Sequence, residues 1–281
     1  MSTIKPRRRR GRRIAIAVVI VLVGLLVATD FTFAAIAEYQ VSKKMRTELK
    51  LEDDPSVTIH GFPFVLQALR GDYQDIEVGA DGIPIGDTVR DLRVNAHLYD
   101  VKVPLSELVS GSARSVVIDR VEGQVKISAA DVNRVFDSTD AGKVAGVSNL
   151  TIAPAPQDPQ VDPGADPATP PSDTSTGVKM AFSVDFAGRQ LQISAYGVLT
   201  LNGTQIQVQP TKLELTDGVT AVKVPDALQS VVMSMLSKEL DLGRALPFTV
   251  VPTKVLVDNN AFVVIGRATN VQLSSGRSGL G

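Results

Sequence analysis

The sequence predicts an α+β fold in which one N-terminal membrane helix precedes a large antiparallel sheet with few further helices. Two observations lead to this prediction. Residues 14–29 carry no charged side chain, and after Pro55 apolar residues recur at every second position in one segment after another. Such alternation is typical of strands that have one covered face and one wet face, as in antiparallel sheets.

A basic tail and an apolar segment open the chain. The first 13 residues hold seven basic side chains and no acidic one. A helix over residues 14–29 would be about 24 Å long, shorter than the roughly 30 Å hydrocarbon core of a bilayer, so we expect the span to cover residues 14–37. The positive-inside rule then places residues 1–13 in the cytoplasm and the remainder outside the plasma membrane.

This apolar segment has two interpretations, an uncleaved signal anchor or a signal peptide cut after the small residues Ala35 and Ala37. We favour the anchor, because the hydrophobic stretch ends far from that cut site and the following residues continue as helix-forming sequence. Within residues 38–51, Val41, Met45 and Leu49 form an apolar stripe opposite charged side chains.

The body is predicted to be one domain, residues 38–275, built mainly from antiparallel hairpins. Alternating segments run from Val57 to Val271. Gly82, Gly203 and Gly218 each follow Asp or Asn, a pair that is typical of tight turns between strands.

Two helices are expected within the body. Ser128 and Asp131 resemble a capping box and would open the first helix, which has apolar residues on one face. The second would start at Asp226 and run to Leu240, with a broad apolar side. Five Met, nine Phe and no Trp leave little volume to fill the space between sheet and helices, which indicates a thin core or a cavity.

Residues 153–176 form a compositionally distinct insertion. They include seven of the 16 prolines and four aspartates, and no aromatic residue. Such a segment buries too little apolar surface to offset its ordering entropy, so we expect a disordered loop inserted in a hairpin.

Recognisable catalytic or metal-binding motifs are missing from the sequence. The chain has no Cys, which excludes disulfides, thiolate catalysis and Cys-based zinc sites. His60 and His97 are the two histidines, and neither has a partner at metal-ligand spacing. Beyond residue 13 there are 22 basic and 30 acidic residues, so the body is a poor partner for nucleic acid. We therefore expect no enzyme and no cofactor.

Five segments together resemble the LmeA-like phospholipid-binding proteins of the actinobacterial cell envelope. They are HGFPF at 60–64, RGDYQDIEV at 70–78, VPLSELVSG at 103–111, IDRVEGQVKISAADVNRVF at 118–136 and ALPFTV at 245–250. The resemblance covers most of residues 38–272 and leaves out the basic tail and the proline-rich insertion. It implies a fold similar to tubular lipid-binding domains, in which a strongly twisted antiparallel sheet wraps one long helix and leaves an apolar tunnel.

The resemblance also implies phospholipid binding on the outer side of the plasma membrane. It supplies no catalytic residue and no defined lipid contact, so the candidate tunnel lining comes from the apolar corner at Pro63 and the two predicted helices. These candidates are Phe62, Phe64, Leu66, Leu69, Val132, Val135, Phe136, Leu228, Val231, Val232, Met235 and Leu236.

The leading functional hypothesis is a membrane-tethered envelope protein that carries or transfers phospholipid, with phospholipid and the plasma membrane as partners and no nucleic acid. An acyl chain gains about 0.8 kcal/mol per buried CH₂, so an apolar site without charged contacts would suffice. Two alternatives remain at this stage: a non-catalytic structural or assembly factor that docks an envelope enzyme, and a lipid hydrolase.

Overall fold

The computed structural model consists of a long helix followed by two antiparallel sheets. It describes residues 8–85, 89–110, 116–138, 148–156, 173–186, 189–203, 205–216, 221–222, 229–230, 233, 240–241 and 250–273. The helices are α1 (Arg8–Leu49), α2 (Phe64–Arg70), α3 (Leu105–Ser110) and α4 (Ala129–Ser138). The strands are β1 (Ser56–His60), β2 (Asp72–Ile85), β3 (Val89–Lys102), β4 (Val116–Ser128), β5 (Ser148–Pro154), β6 (Ser175–Phe186), β7 (Arg189–Asn202), β8 (Gln205–Thr216), β9 (Ala221–Val222), β10 (Leu240–Asp241), β11 (Val251–Asp258) and β12 (Ala261–Leu273).

The strands are divided between two open sheets. The first sheet has the order β1-β2-β3-β4-β12-β11, and the second has the order β10-β8-β7-β6-β5 with β9 paired to β8. Every strand pair is antiparallel, and the chain's last hairpin, β11–β12, returns to the first sheet beside β4. The predicted α+β class with extensive antiparallel pairing is confirmed.

Each sheet covers its own apolar core. In the first core, Ala34, Ala37 and Val41 of α1 pack with buried residues of the first sheet such as Ile76 and Val101. The second core is built mainly from the second sheet and takes Val255 of β11 and Val264 of β12 from the first. The β11–β12 hairpin therefore joins the two sheets, and the second half of α1 belongs to the body of the protein.

Of the three turns predicted at Asp-Gly or Asn-Gly pairs, the structure confirms one and contradicts one. Gly203 has φ 60° and lies in the tight turn that joins β7 to β8, as expected. Gly82 does not form a turn between strands, because it lies inside β2, where the pairing register with β3 shifts between Ala80 and Ile83. Its φ of 70° accommodates this bulge, and the strand continues to Ile85. The turn predicted at Gly218 lies outside the described residues.

The proline-rich insertion begins and ends inside strands. Strand β5 extends to Pro154 and β6 begins at Ser175, so both ends of the segment 153–176 are hydrogen-bonded. Residues 157–172 lie outside the described part of the chain, and the expectation of disorder remains a prediction for them.

The second helix of the body was predicted between Asp226 and Leu240. Of this segment the structure describes residues 229, 230 and 233, which are helical, and Leu240. Leu240 does not continue a helix, because it opens β10 and pairs with Ile206 of β8. The predicted helix is therefore too long at its end.

Candidate functional site

Helix α1 carries a long apolar surface that the protein does not cover. It is 42 residues long, and the side chains from Ile14 to Leu26 are largely exposed. Among the described residues it is the one helix long and apolar enough to cross a membrane. By length and composition, α1 can serve as a membrane anchor or as a signal sequence.

Asp30 fastens α2 to the side of this apolar helix. Its Oδ2 accepts a hydrogen bond from the Phe64 N–H at 2.8 Å, and its Oδ1 accepts one from the Val65 N–H at 2.9 Å. The side chain is 6% exposed. The first N–H groups of a helix have no partner within the helix, so Asp30 acts as a cap supplied from 34 residues earlier in the chain. The one acidic residue of the apolar stretch thus has a structural role.

Other residues of α2, and Gly71 at its end, also make specific contacts. Phe64 is buried, with its ring centroid 6.4 Å from that of Tyr73 in the first core. The Gln67 side chain donates to the His60 carbonyl at 3.3 Å and accepts from the Gln74 N–H at 3.0 Å. Gly71 ends the helix at φ 64°, where a Cβ would lie 3.0 Å from the Val103 carbonyl oxygen. These contacts fix α2 against both α1 and the sheet.

Three apolar side chains of this corner are exposed, and two of them are in contact with each other. Phe31 of α1 and Phe62, which precedes α2, stack with ring centroids 6.3 Å apart, and they are 63% and 60% exposed. Leu66 of α2 is also exposed. We call Phe31, Phe62 and Leu66 the apolar ridge.

An open groove lies beside the ridge, where α1, α2 and α3 meet. Its volume is about 510 Å³. It is lined by Phe33, Ile36, Ala37 and Gln40 of α1, by Phe64, Val65, Ala68 and Leu69 of α2, and by Leu105, Ser106 and Val109 of α3. Among these described lining residues, Gln40 and Ser106 are the two with polar side chains. We call this open feature the base groove. The expected tunnel was to be lined in part by residues 226–240, most of which lie outside the described residues.

Tyr73 lies beneath the groove, behind Phe64. Its ring is fully buried, and its hydroxyl has no hydrogen-bond partner among the described residues. Burial raises the pKa of this hydroxyl to about 12. Tyr73 is therefore an uncharged, unsatisfied polar group inside the first core.

The described residues among the predicted site residues do not form one continuous site. Phe64 and Leu69 line the base groove, whereas Phe62 and Leu66 lie on the ridge. Val132 of α4 packs against the second core, and Val135 of α4 is exposed. The side chain of Phe136 and all of Leu228, Val231, Val232, Met235 and Leu236 lie outside the described residues.

Several groove residues were not among the sequence candidates. Ile36 and Ala37 were assigned to the membrane segment alone, and Leu105 and Val109 of α3 were seen only as part of a family motif. The spacing of Phe33, Ile36, Ala37 and Gln40 at three and four residues is a helical face that could have indicated them.

A second corner, at α4, resembles the α1–α2 corner in its hydrogen bonding. Asp131 is fully buried and accepts from the Arg90 N–H at 2.8 Å and the Asp91 N–H at 3.2 Å. The Asp131 N–H donates to Ser128 Oγ at 3.1 Å, which confirms the predicted cap, and Arg134 forms an ion pair with the Asp131 carboxylate. Burial raises the pKa of this carboxyl, but hydrogen bonds from the Arg90 N–H and the Arg134 guanidinium outweigh it and hold the pKa below its ordinary value.

The two histidines lie on the opposite face of the first sheet from α1. His60 pairs with Glu77 at 3.0 Å and His97 with Asp75 at 3.1 Å. Ile59, the neighbour of His60 in β1, is buried in the first core, so the His60 side chain points away from that core. No group of three or more potential metal ligands occurs in the part of the chain that the structure describes.

One known protein family matches most of the chain. The family model of the LmeA-like phospholipid-binding proteins matches residues 28–267. No curated protein and no solved structure matches the chain significantly. Because the family model covers most of the chain, the protein belongs to the LmeA-like phospholipid-binding family.

Proposed function

We propose that this member of the LmeA-like phospholipid-binding family is a membrane-tethered carrier that holds phospholipid at the outer face of the plasma membrane. The base groove is its proposed acyl-chain site. The observation that carries the proposal is the groove itself, since an open apolar channel about 510 Å³ in volume lies directly beside the apolar helix α1. Ligand sites of this kind are mostly apolar, with a few polar groups that fix orientation.

The distribution of polarity along the groove fits a phospholipid. Its α1 wall runs over about 10 Å, from Phe33 to Gln40. On the α1 wall, the side chains nearest the apolar stretch are apolar (Phe33, Ile36 and Ala37), and Gln40 lies at the opposite end. An acyl chain would lie against Phe33, Ile36 and Leu69, with the ester and headgroup towards Gln40. Each buried CH₂ would add about 0.8 kcal/mol.

The packing of α1 favours an uncleaved anchor over a signal peptide. The helix is continuous from Arg8 to Leu49, through the alternative cut site after Ala37. Cleavage there would remove Ala34 and Ala37 from the first core, together with the Asp30 side chain that caps α2. It would also remove Phe33 and Ile36 from the base groove. A functional groove therefore requires the segment to stay attached.

The proposed orientation puts the basic tail in the cytoplasm and the two sheets outside. It is supported by seven basic and no acidic side chains in the first 13 residues. Reporter fusions at residue 281 should be active outside the cytoplasm, and activity in the cytoplasm alone would contradict this orientation.

We propose a binding role without catalysis. The two histidine–carboxylate pairs are the described groups that most resemble general acid–base pairs. They lie on the face of the first sheet away from the base groove. A lipid in the groove would be out of their reach. Turnover of a phospholipid by the purified protein would contradict this part of the proposal.

The function can be tested by filling the groove. Ala68 lines the base groove and is half-buried, so an Ala68→Trp substitution would occupy space that an acyl chain needs. Leu66 lies two residues earlier on α2 but outside the groove, so Leu66→Trp adds the same side chain without filling it. Native mass spectrometry of the full chain should detect less co-purified phospholipid in Ala68→Trp than in Leu66→Trp.

Thermal unfolding of the same samples separates ligand loss from damage to the fold. Leu66→Trp should melt close to the wild type, because its side chain is exposed. Ala68 also packs against the first core, so a lower melting temperature of Ala68→Trp would show damage to the fold by overpacking, whereas lipid loss at an unchanged melting temperature would show that the groove is filled. Equal lipid retention in both variants would contradict the groove as the binding site. Absence of phospholipid from the wild type as well would favour the alternative of a non-catalytic assembly factor.

A further inference from the structure

The apolar ridge lies at a fixed position along α1, next to residues 30 and 31. Phe62 stacks on Phe31, and the backbone of α2 begins within hydrogen-bond distance of Asp30. The position of the ridge relative to a bilayer therefore follows from the position of residues 30 and 31.

The basic tail and the helical rise locate those residues. Arg12 and Arg13 are the last charges before the apolar stretch, so the hydrocarbon core begins near Ile14. A roughly 30 Å hydrocarbon core takes about 20 helical residues, which places its outer boundary near Phe33. Asp30 and Phe31 lie short of that boundary, and a tilt of the helix would place them deeper.

The α1–α2 corner is suited to this depth. A lone carboxyl group inside hydrocarbon is costly, but Asp30 is 6% exposed and both of its oxygens accept backbone N–H groups of α2. Helix α2 thus shields from lipid the one acidic side chain that α1 would otherwise present there. In return Asp30 satisfies the first N–H groups of α2, which water could not reach at this depth.

The composition of α2 points to the same environment. Its seven residues include no acidic side chain, although the body of the protein is acidic overall. Arg70, in its last turn, is exposed and forms no ion pair with the described residues. A basic residue beside apolar side chains is typical of segments that sit at the level of phospholipid headgroups.

From these observations we propose that α2 and Phe62 are embedded in the outer leaflet, where the apolar ridge forms a second membrane contact beside the α1 span. The proposal rests on the membrane tether of the proposed function and extends it. The two sheets are then fixed to the bilayer surface without a flexible linker. The base groove opens at the level of the outer leaflet, so an acyl chain can enter it sideways without crossing water.

The absence of tryptophan from the chain allows a direct test. Single substitutions Phe62→Trp and Leu66→Trp place one fluorophore on the ridge and outside the base groove. Leu22→Trp marks the middle of the span, and Gln209→Trp marks an exposed position in the second sheet. Each full-length variant is reconstituted into liposomes containing phosphatidylcholine brominated either near the ester or near the chain end.

We expect Phe62→Trp and Leu66→Trp to lose emission most strongly with bromine near the ester. Leu22→Trp should lose it most strongly with bromine near the chain end, and Gln209→Trp should lose none. If both ridge variants behave like Gln209→Trp while Leu22→Trp is quenched, the tether stands and the embedded ridge is wrong. If Leu22→Trp is not quenched either, the tether of the proposed function fails and the embedded ridge fails with it.

Discussion

Two buried aspartates stabilise two corners of this protein in the same way. Asp30 accepts hydrogen bonds from the consecutive N–H groups of Phe64 and Val65, and Asp131 accepts them from Arg90 and Asp91. The surroundings differ. Asp131 also binds Ser128 and Arg134, which complete a polar network, whereas among the described residues no basic side chain forms an ion pair with Asp30.

The neighbouring side chains explain the difference. Around Asp131 the helix α4 packs on the second core through Val132. Around Asp30 the side chains of Phe31 and Phe62 are exposed to more than half. A polar network with a counter-ion is adequate for a corner that faces water. A corner sealed only by backbone N–H groups, with apolar side chains outside, is suited to contact with lipid. The same hydrogen-bonding pattern thus completes the fold at α4 and holds the proposed membrane contact in place at α2.

The largest effect on stability is expected at the α4 corner. Asp131→Ala would leave two backbone N–H groups and the Arg134 guanidinium without their buried acceptor, and we expect a loss of about 3 kcal/mol in the free energy of unfolding. Chemical denaturation of the full chain in detergent would measure it. Asp137→Ala, on the exposed side of the same helix, is the matched control and should leave the denaturation midpoint nearly unchanged. Equal effects of the two substitutions on the denaturation midpoint would contradict the structural role of Asp131.

A smaller loss is expected at the α1–α2 corner. Asp30→Ala removes a helix cap and should cost about 1 to 2 kcal/mol. The characteristic result is local: amide hydrogen exchange at Phe64 and Val65 should accelerate in the full chain taken out of the bilayer into detergent, while β6 and β7 remain protected. Thr29→Ala is the control, because among the described residues the Thr29 hydroxyl donates to the Leu25 carbonyl of its own helix and to no other group. Unchanged exchange in Asp30→Ala would contradict the cap.

Acidification should reduce the difference in stability between the wild type and Asp131→Asn. The folded pKa of the Asp131 carboxyl is below its ordinary value of 3.8, so its contribution to stability is present above that value and is lost as the pH falls through the folded pKa. The stability advantage of the wild type over Asp131→Asn should therefore be constant near neutral pH and shrink on acidification below about 3.8. Melting temperatures measured across that range test this. An advantage that grew on acidification would reverse the inferred direction of the pKa shift.

The smallest effect is expected at Tyr73. Its buried hydroxyl has no partner among the described residues, so Tyr73→Phe should leave stability unchanged or raise it by up to about 1 kcal/mol. Thermal unfolding gives the answer, and native mass spectrometry of the same sample adds a second readout. A drop in stability together with loss of phospholipid would mean that the hydroxyl bonds the ligand.

Local sequence patterns predicted much of the fold. Period-two alternation correctly indicated the strands around Ile59, Val94 and Ile193, since a half-buried strand must alternate. The cap at Ser128 followed from residues three apart. The bulge at Gly82 was mistaken for a turn, because Asp followed by Gly suits both a turn and a left-handed bulge residue.

The site was harder to predict because it depends on contacts between distant segments. Asp30 lies within the predicted span of residues 14–37, and its partners lie 34 and 35 residues away, where no local pattern could indicate them. The helix α2 was recognised only as an apolar corner. The contribution of α3 to the groove through Leu105 and Val109 depends on how α3 packs beside α1. Composition cannot supply such long-range pairings.

The central claim, that the base groove holds an acyl chain, is tested most directly with a phospholipid that carries a photoreactive diazirine in its acyl chain. The full chain is irradiated in liposomes and the labelled residues are mapped by mass spectrometry. Labelling of residues 14–30 is expected from the bilayer alone, so residues 105–109 of α3, which lie outside the span, decide the result. If the base groove holds an acyl chain, label should appear at 105–109 in the wild type and in Leu66→Trp, and it should be lost in Ala68→Trp. Label concentrated in residues 226–240 or in β6 to β8, with none in α3, would contradict it.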